Sequence, residues 1–183
     1  MKQNRENPFF ETYRTPFGTP PFDQIETEQY EPAFDEGIRQ LDEEVRAIAD
    51  NTELPTFENT IIALERSGKL LDKVISAFFN VLNAEADDEM MDISQRVSPK
   101  LSESSNNIYL NEQLFARVKS VYDRKDELHL PMEDARLLEK TFEAFCARGA
   151  ALGPEEKEKY RKVSSELSLL SLTFDQNALK YKN

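Results

Sequence analysis

Residues 34–48, Phe34-Asp35-Glu36-Gly37-Ile38-Arg39-Gln40-Leu41-Asp42-Glu43-Glu44-Val45-Arg46-Ala47-Ile48, set apolar side chains at Phe34, Ile38, Leu41, Val45 and Ile48. Steps of four and three put all of them on one face of an α-helix, with charged residues on the others. The helix is expected to begin near Thr27 or Glu28, because proline is tolerated in an opening turn and Pro32 falls there. Asn51 and Pro55 mark its end.

The same spacing recurs along the chain. Thr56 is a good N-cap for a second helix with the stripe Phe57, Ile61, Leu64, Leu71, Ile75, Phe78 and Leu82. Gly68 lies in register with that stripe, where close approach of a neighbouring backbone would offset its poor helix propensity. A third helix opens at Asp87 and Asp88 and carries Met90, Ile93, Val97, Leu101 and Ile108, with Pro99 expected to kink or split it. Asn111 caps a fourth, with Leu114, Phe115, Val118, Val121 and Tyr122 inward. Pro131 begins a fifth, whose stripe is Leu138, Phe142, Phe145, Gly149 and Leu152. Gly153-Pro154 separates it from a sixth presenting Tyr160, Val163, Leu167, Leu170 and Phe174. That last helix has further apolar residues at Leu169, Leu172 and Leu179, and neither Gly nor Pro stops it before Asn183. Its apolar surface exceeds what one interface buries, so the chain is expected to be truncated at its C-terminus from something larger.

Residues 1–25 read differently. Pro16, Pro20 and Pro21 remove amide donors and hold their predecessors extended, so this stretch is not helical. Phe9, Phe10, Phe17, Phe22 and Ile25 are too apolar for a free tail, and predict an arm docked on the helices by its rings. The expected fold is all-α: an extended arm over 1–25, then five or six antiparallel amphipathic helices over 26–183.

Composition narrows the function. The 183 residues carry 23 Lys and Arg against 35 Asp and Glu, a net charge of −12 that repels phosphate backbones and anionic lipid. Nucleic acid and membrane are therefore not expected partners. No apolar run is long enough to span a bilayer, and Met1 to Arg14 contains none fit for a signal peptide. With Cys146 the sole cysteine, the expected setting is cytoplasmic.

Catalytic candidates are few. His129 is the only histidine, so neither a His-Glu-x-x-His zinc site nor a Cys/His tetrad can be built here. It is expected at a helix end, where a cation suits the dipole. Cys146, beside the fifth stripe, is expected to be a buried, inert thiol. The acidic run Ala84–Glu89 lacks the glycine and spacing of a calcium loop and reads as a helix start. No position is assigned as catalytic, cofactor-binding or metal-ligating.

A series of local motifs goes further. Thr15-Pro16-Phe17-Gly18-Thr19-Pro20-Pro21-Phe22-Asp23-Gln24-Ile25 is followed by Tyr30-Glu31-Pro32-Ala33-Phe34-Asp35-Glu36-Gly37, then by Pro55-Thr56-Phe57-Glu58-Asn59-Thr60 and Ala63-Leu64-Glu65-Arg66-Ser67-Gly68. Ile108-Tyr109-Leu110-Asn111, Leu114-Phe115-Ala116-Arg117-Val118 and Phe174-Asp175-Gln176-Asn177 complete it. In this order the motifs resemble the N-terminal region of bacterial peptidyl-dipeptidases, within the zinc metallopeptidase family of thimet oligopeptidase, neurolysin and oligopeptidase A. The resemblance covers about residues 7 to 181, and the Leu110–Val118 motifs favour the peptidyl-dipeptidase branch. Gln29 and Ser104 stand where histidines are expected in relatives, neither being a metal ligand in the family.

The resemblance implies a parent in which zinc, with its His-Glu-x-x-His motif and general base, belongs to the C-terminal half. This chain would supply a wall and lid of the channel that admits short peptides. Its partners would be the catalytic half of the same polypeptide and those peptides, and it would hold no cofactor and no activity itself. The alternative is a stand-alone helical interaction module whose apolar last helix binds another protein. An enzyme working by carboxylates alone is the remote third reading.

Overall fold

The computed structural model describes residues 7–85 and 87–182. It is all-α, with no strand among the described residues. The α-helices are α1 (Tyr30–Ala49), α2 (Ala63–Glu65), α3 (Lys69–Glu85), α4 (Asp88–Tyr109), α5 (Glu112–Tyr122), α6 (Met132–Ala147) and α7 (Pro154–Lys182). A π-helical segment, Phe57–Ile62, leads into α2, and short 3-10 turns stand at Pro8–Phe10, Pro16–Gly18 and Thr27–Gln29.

The first stripe threads two cores. Phe34 and Ala33 of α1 pack with Leu71, Val74 and Phe78 of α3 and with Met90, Ile93 and Val97 of α4. Further along α1, Val45 and Ile48 pack with Phe57 and Ile61, with Leu114, Val118 and Val121 of α5, and with Leu138 and Phe145 of α6. Leu41 touches both clusters. Aromatic rings meet edge-on in the first, with Phe34 and Phe78 centroids 5.3 Å apart. In the second they stack, Tyr122 on Phe142 at 3.9 Å.

The caps fall where the side chains call for them. Thr56 Oγ1 accepts from the Asn59 amide (3.1 Å) and Asn59 Oδ1 from the Thr56 amide (2.8 Å). Asp87 Oδ1 accepts from the Met90 amide, and Asn111 Oδ1 from the Leu114 amide. Pro99 lies inside a continuous α4 and does not split it.

Two glycines depart from the expected register. Gly68 breaks the second expected helix: its φ is +74°, and its amide donates to Glu44 Oε2 at 2.7 Å. Gly149 ends α6 at φ +86°. There the Ala150 amide reaches Phe145 O (3.0 Å) and the Gly149 amide reaches Cys146 O (3.2 Å), so this glycine is a stop and not part of a stripe. Close backbone approach occurs instead at Gly37, where a Cβ would lie 3.0 Å from Leu71 Cα.

The arm docks through fewer rings than its composition predicts. Phe9 is buried against Tyr30, with centroids 5.2 Å apart, while Tyr13 and Ile25 pack on the same core. Phe10, Phe17 and Phe22 are exposed. Phe17 stands at φ +60° in a turn closed by the Gly18 amide to Thr15 O and by the Thr15 hydroxyl to Thr19 O.

Candidate functional site

Lys73 of α3 sits under the arm, in a cleft of about 1110 Å³ bounded by Phe9, Tyr13, Glu36 and Leu70. Its Nζ donates to Phe9 O (2.8 Å) and Glu11 O (2.6 Å) and lies 3.7 Å from the centre of the Tyr13 ring. Burial lowers the Lys73 pKa, with Glu11 opposing. Burial, then Tyr30, pushes Tyr13 up to about 12, and its buried hydroxyl has no hydrogen-bond partner among the described residues. Glu36 at the rim is held down at about 2 by hydrogen bonds from Arg39 and Gln40. The cleft therefore pairs no nucleophile with a base. Its amine clamps the arm, and its carboxylate stays ionised.

Arg117, 7% exposed, is a buried cation on α5. Its Nη1 donates to Asn51 O (2.6 Å) and Glu53 O (3.0 Å), and its Nη2 to Asn59 Oδ1 (3.0 Å). Arg124 reaches Pro55 O on the same loop. Both guanidinium groups hold the turn between α1 and the π-helical segment, through backbone carbonyls and the Asn59 side chain, while the buried Arg117 Nε has no hydrogen-bond partner among the described residues. The spacing held this signal, since Arg117 stands three after Leu114 and four before Val121, within the inward face of α5.

The candidates named from sequence lie apart. His129 is exposed in the loop between α5 and α6, at φ +46° and seven residues beyond Tyr122, so it does not sit on the α5 dipole as expected. Cys146 is exposed, not buried. Phe145 takes the inward position on α6, and the next residue turns about 100° away, toward solvent. In the acidic run, Asp87 caps α4 with Asp88 and Glu89 in its first turn, and Ala86 falls outside the described residues. Gln29 Oε1 accepts from the Glu26 amide, while Ser104, buried, donates to Asp42 Oδ1 at 3.2 Å.

No group of three or more His, Cys, Asp or Glu among the described residues is placed to hold a metal ion. One histidine and one cysteine on different elements also cannot supply a zinc ligand set. The residues present do not fit the metal that the resemblance implies. No helix among the described residues is long and apolar enough to cross a membrane.

The remaining unusual surface is α7, whose polarity is inverted. Toward α4 it turns Arg161, whose Nη1 donates to Asn107 Oδ1 (2.9 Å), and Ser164, whose Oγ accepts from Asn106 Nδ2 (2.8 Å). Lys157, 8% exposed, pairs with Glu112 of α5 at 3.0 Å. Of the expected inward stripe Tyr160 is half-buried, but the rest faces out: Val163 is 63% exposed, Leu167 60%, Leu170 68% and Phe174 73%. Of the additional apolar set, Leu172 is half-buried and Leu169 exposed, while the Leu179 side chain lies outside those described.

No family model matches the chain. It is 42% identical over 173 residues to dipeptidyl carboxypeptidase of Escherichia coli (strain K12), which covers 94% of this chain and 25% of that protein. Dipeptidyl carboxypeptidase of Salmonella typhimurium (strain LT2) is 39% identical over the same length and shares. Oligopeptidase A of Escherichia coli is 23% identical over 165 residues, 90% of this chain and 24% of that protein. The chain thus spans about a quarter of the length of the curated relatives it matches.

Proposed function

We propose, from the premise that this chain is homologous to the dipeptidyl carboxypeptidases and oligopeptidases A and belongs to their peptidase family, that it is the noncatalytic N-terminal lid and channel wall of such an enzyme. The proposed whole protein is a zinc metallopeptidase that releases dipeptides from the free C-termini of short peptides in the cytoplasm. Its zinc and its acid–base groups lie in the part of the polypeptide outside these residues. The observation that carries this reading is near-complete coverage of the chain, at 42% identity, by a quarter of a dipeptidyl carboxypeptidase. The lower identity to oligopeptidase A supports the dipeptide-releasing branch. A wall without chemistry of its own also agrees with the cleft under the arm, where the Lys73 amine is committed to backbone carbonyls.

In this role the domain works by exclusion and orientation. Helical walls over a narrow channel pass unstructured peptides and reject folded proteins, and contacts along a bound peptide fix its position for reaction elsewhere. Purified whole protein, given peptides with free or amidated C-termini, tests the proposal. Dipeptide release that amidation sharply reduces is the expected result; undiminished internal cutting of amidated peptides would move the protein to the oligopeptidase branch.

The outward apolar stripe of α7 also favours the second reading, a stand-alone helical module that binds another protein. A reading frame ending after Asn183 would decide for it. A continuation of some hundreds of codons encoding His-Glu-x-x-His would decide for the peptidase.

A further inference from the structure

We infer that Val163, Leu167, Leu170 and Phe174 of α7 form the seat on which the polypeptide beyond Asn183 folds back and packs. The inference rests on the reading just given, that the chain is one part of a longer peptidase. Its own observation is the inverted polarity of α7. Amphipathic helices in a finished domain turn apolar residues inward and polar ones to solvent. This helix instead meets α4 and α5 with Lys157, Arg161 and Ser164, each hydrogen-bonded or ion-paired there. Its apolar ridge, in steps of four, three and four, is turned to water at 60% exposure or more. The inner contacts are specific: a half-turn rotation that buried the ridge would leave the buried Asn106 facing apolar side chains without its Ser164 partner. The helix is therefore fixed with its apolar side outward, and that side is shaped for a second layer.

The area selects the occupant. The ridge runs about 17 Å along the helix, from eleven steps of about 1.5 Å between Val163 and Phe174. Its exposed surface is on the order of 400 Å², about half of the ~800 Å² per partner typical of a stable two-chain interface. A second copy or a free partner would have to offset the loss of translational and rotational freedom on that area alone. A tethered segment does not meet that cost, because the chain itself holds it at high effective concentration. The relatives are about four times as long as this chain, so a homologous continuation is the matching occupant.

Leu167→Cys in a Cys146→Ser background, made both in residues 1–183 and in the whole protein, reports the seat directly. A maleimide is applied and modification of the peptide containing position 167 is followed by mass spectrometry. At least tenfold slower labelling in the whole protein is expected, together with slower amide hydrogen exchange over residues 163–174 of the unsubstituted protein. Equal labelling and equal exchange in both would overturn the inference. So would a gene product ending at Asn183, or labelling of the short chain that slows with concentration as a dimer forms. Peptide cleavage by the unsubstituted whole protein, measured alongside, separates the two claims. Cleavage with unprotected α7 removes the seat and leaves the peptidase reading; protection without cleavage does the reverse.

Discussion

Tyr13 is the residue at which the arm reports its own docking. Its ring takes the Lys73 ammonium, while its hydroxyl is buried with no partner among the described residues. Desolvation raises its pKa from 10.0 to about 12, so folding favours the protonated phenol. The unfolded chain then loses that proton first as pH rises. The stability contribution is complete below pH 10 and disappears between pH 10 and 12. Tyr13→Phe should leave the neutral-pH melting temperature unchanged or slightly higher, since it removes an unpaired buried hydroxyl. It should also flatten the part of the alkaline decline that belongs to this group. Melting curves of both proteins from pH 8 to 12 check this, and parallel declines would place the Tyr13 hydroxyl in water. Single residues were unevenly legible. Thr56, Asp87 and Asn111 announced their caps through local chemistry. Gly68 and Gly149 matched a helical register by number, yet positive φ makes both of them breaks, because periodicity alone does not distinguish a packing glycine from a stop. The close approach occurs at Gly37, against Leu71 Cα, a contact between residues 34 apart that no local pattern contains.

At the scale of elements, the stripes of α1 and α5 bury as their spacing predicts, because each helix lies between two others and one apolar face suffices. The second expected helix is divided instead: a π-helical segment and α2 pack on one core and α3 on the other, joined at Gly68. That division gives Thr56 a sharper role than capping one long rod. Its hydroxyl and Asn59 brace the start of the segment, while Arg117 reads the Asn59 carboxamide from α5. Thr56→Ala should therefore destabilise the protein by about 1 kcal/mol, the usual loss for such a cap. Urea unfolding with an unchanged slope and a lower midpoint is the expected result. An unchanged midpoint would show that Arg117 and the Asn59 contact to Leu54 O hold the turn unaided. The stripe of α7 was legible as a pattern, though not its direction. Periodicity locates an apolar face but says nothing about which layer exists to cover it.

The whole molecule joins two cores through α1 and through α4, whose Met90, Ile93 and Val97 belong to the first cluster and whose Ile108 and Tyr109 pack on the second; this arrangement carries a prediction about how it unfolds. α1 contributes Phe34 to the first cluster and Val45 and Ile48 to the second, while Leu41 touches both. Gly68 lies against that same leucine, with its Cβ position 3.2 Å from Leu41 Cδ1, so the break between α2 and α3 closes over the junction. Separating the cores would require α1 to fray at its middle, exposing Leu41 on both sides, and α4 to give way between Val97 and Ile108. Residues 1–183 should therefore unfold in one cooperative transition, with fluorescence and circular dichroism coincident. Leu41→Ala removes the shared side chain while leaving each cluster its own. Core truncations of this kind cost about 2 to 5 kcal/mol when fully buried, and a half-buried leucine should fall at or below the lower end. The more telling result concerns coupling: a variant weakened at the junction should lose coincidence, the α5–α6 side and the arm–α3 side melting at different midpoints. Hydrogen exchange of α3 and α6 amides distinguishes the sides. A Leu41→Ala protein that still melts in one step, with exchange accelerated equally in both helices, would show that the α1 and α4 helices themselves couple the cores and that the leucine only fills space.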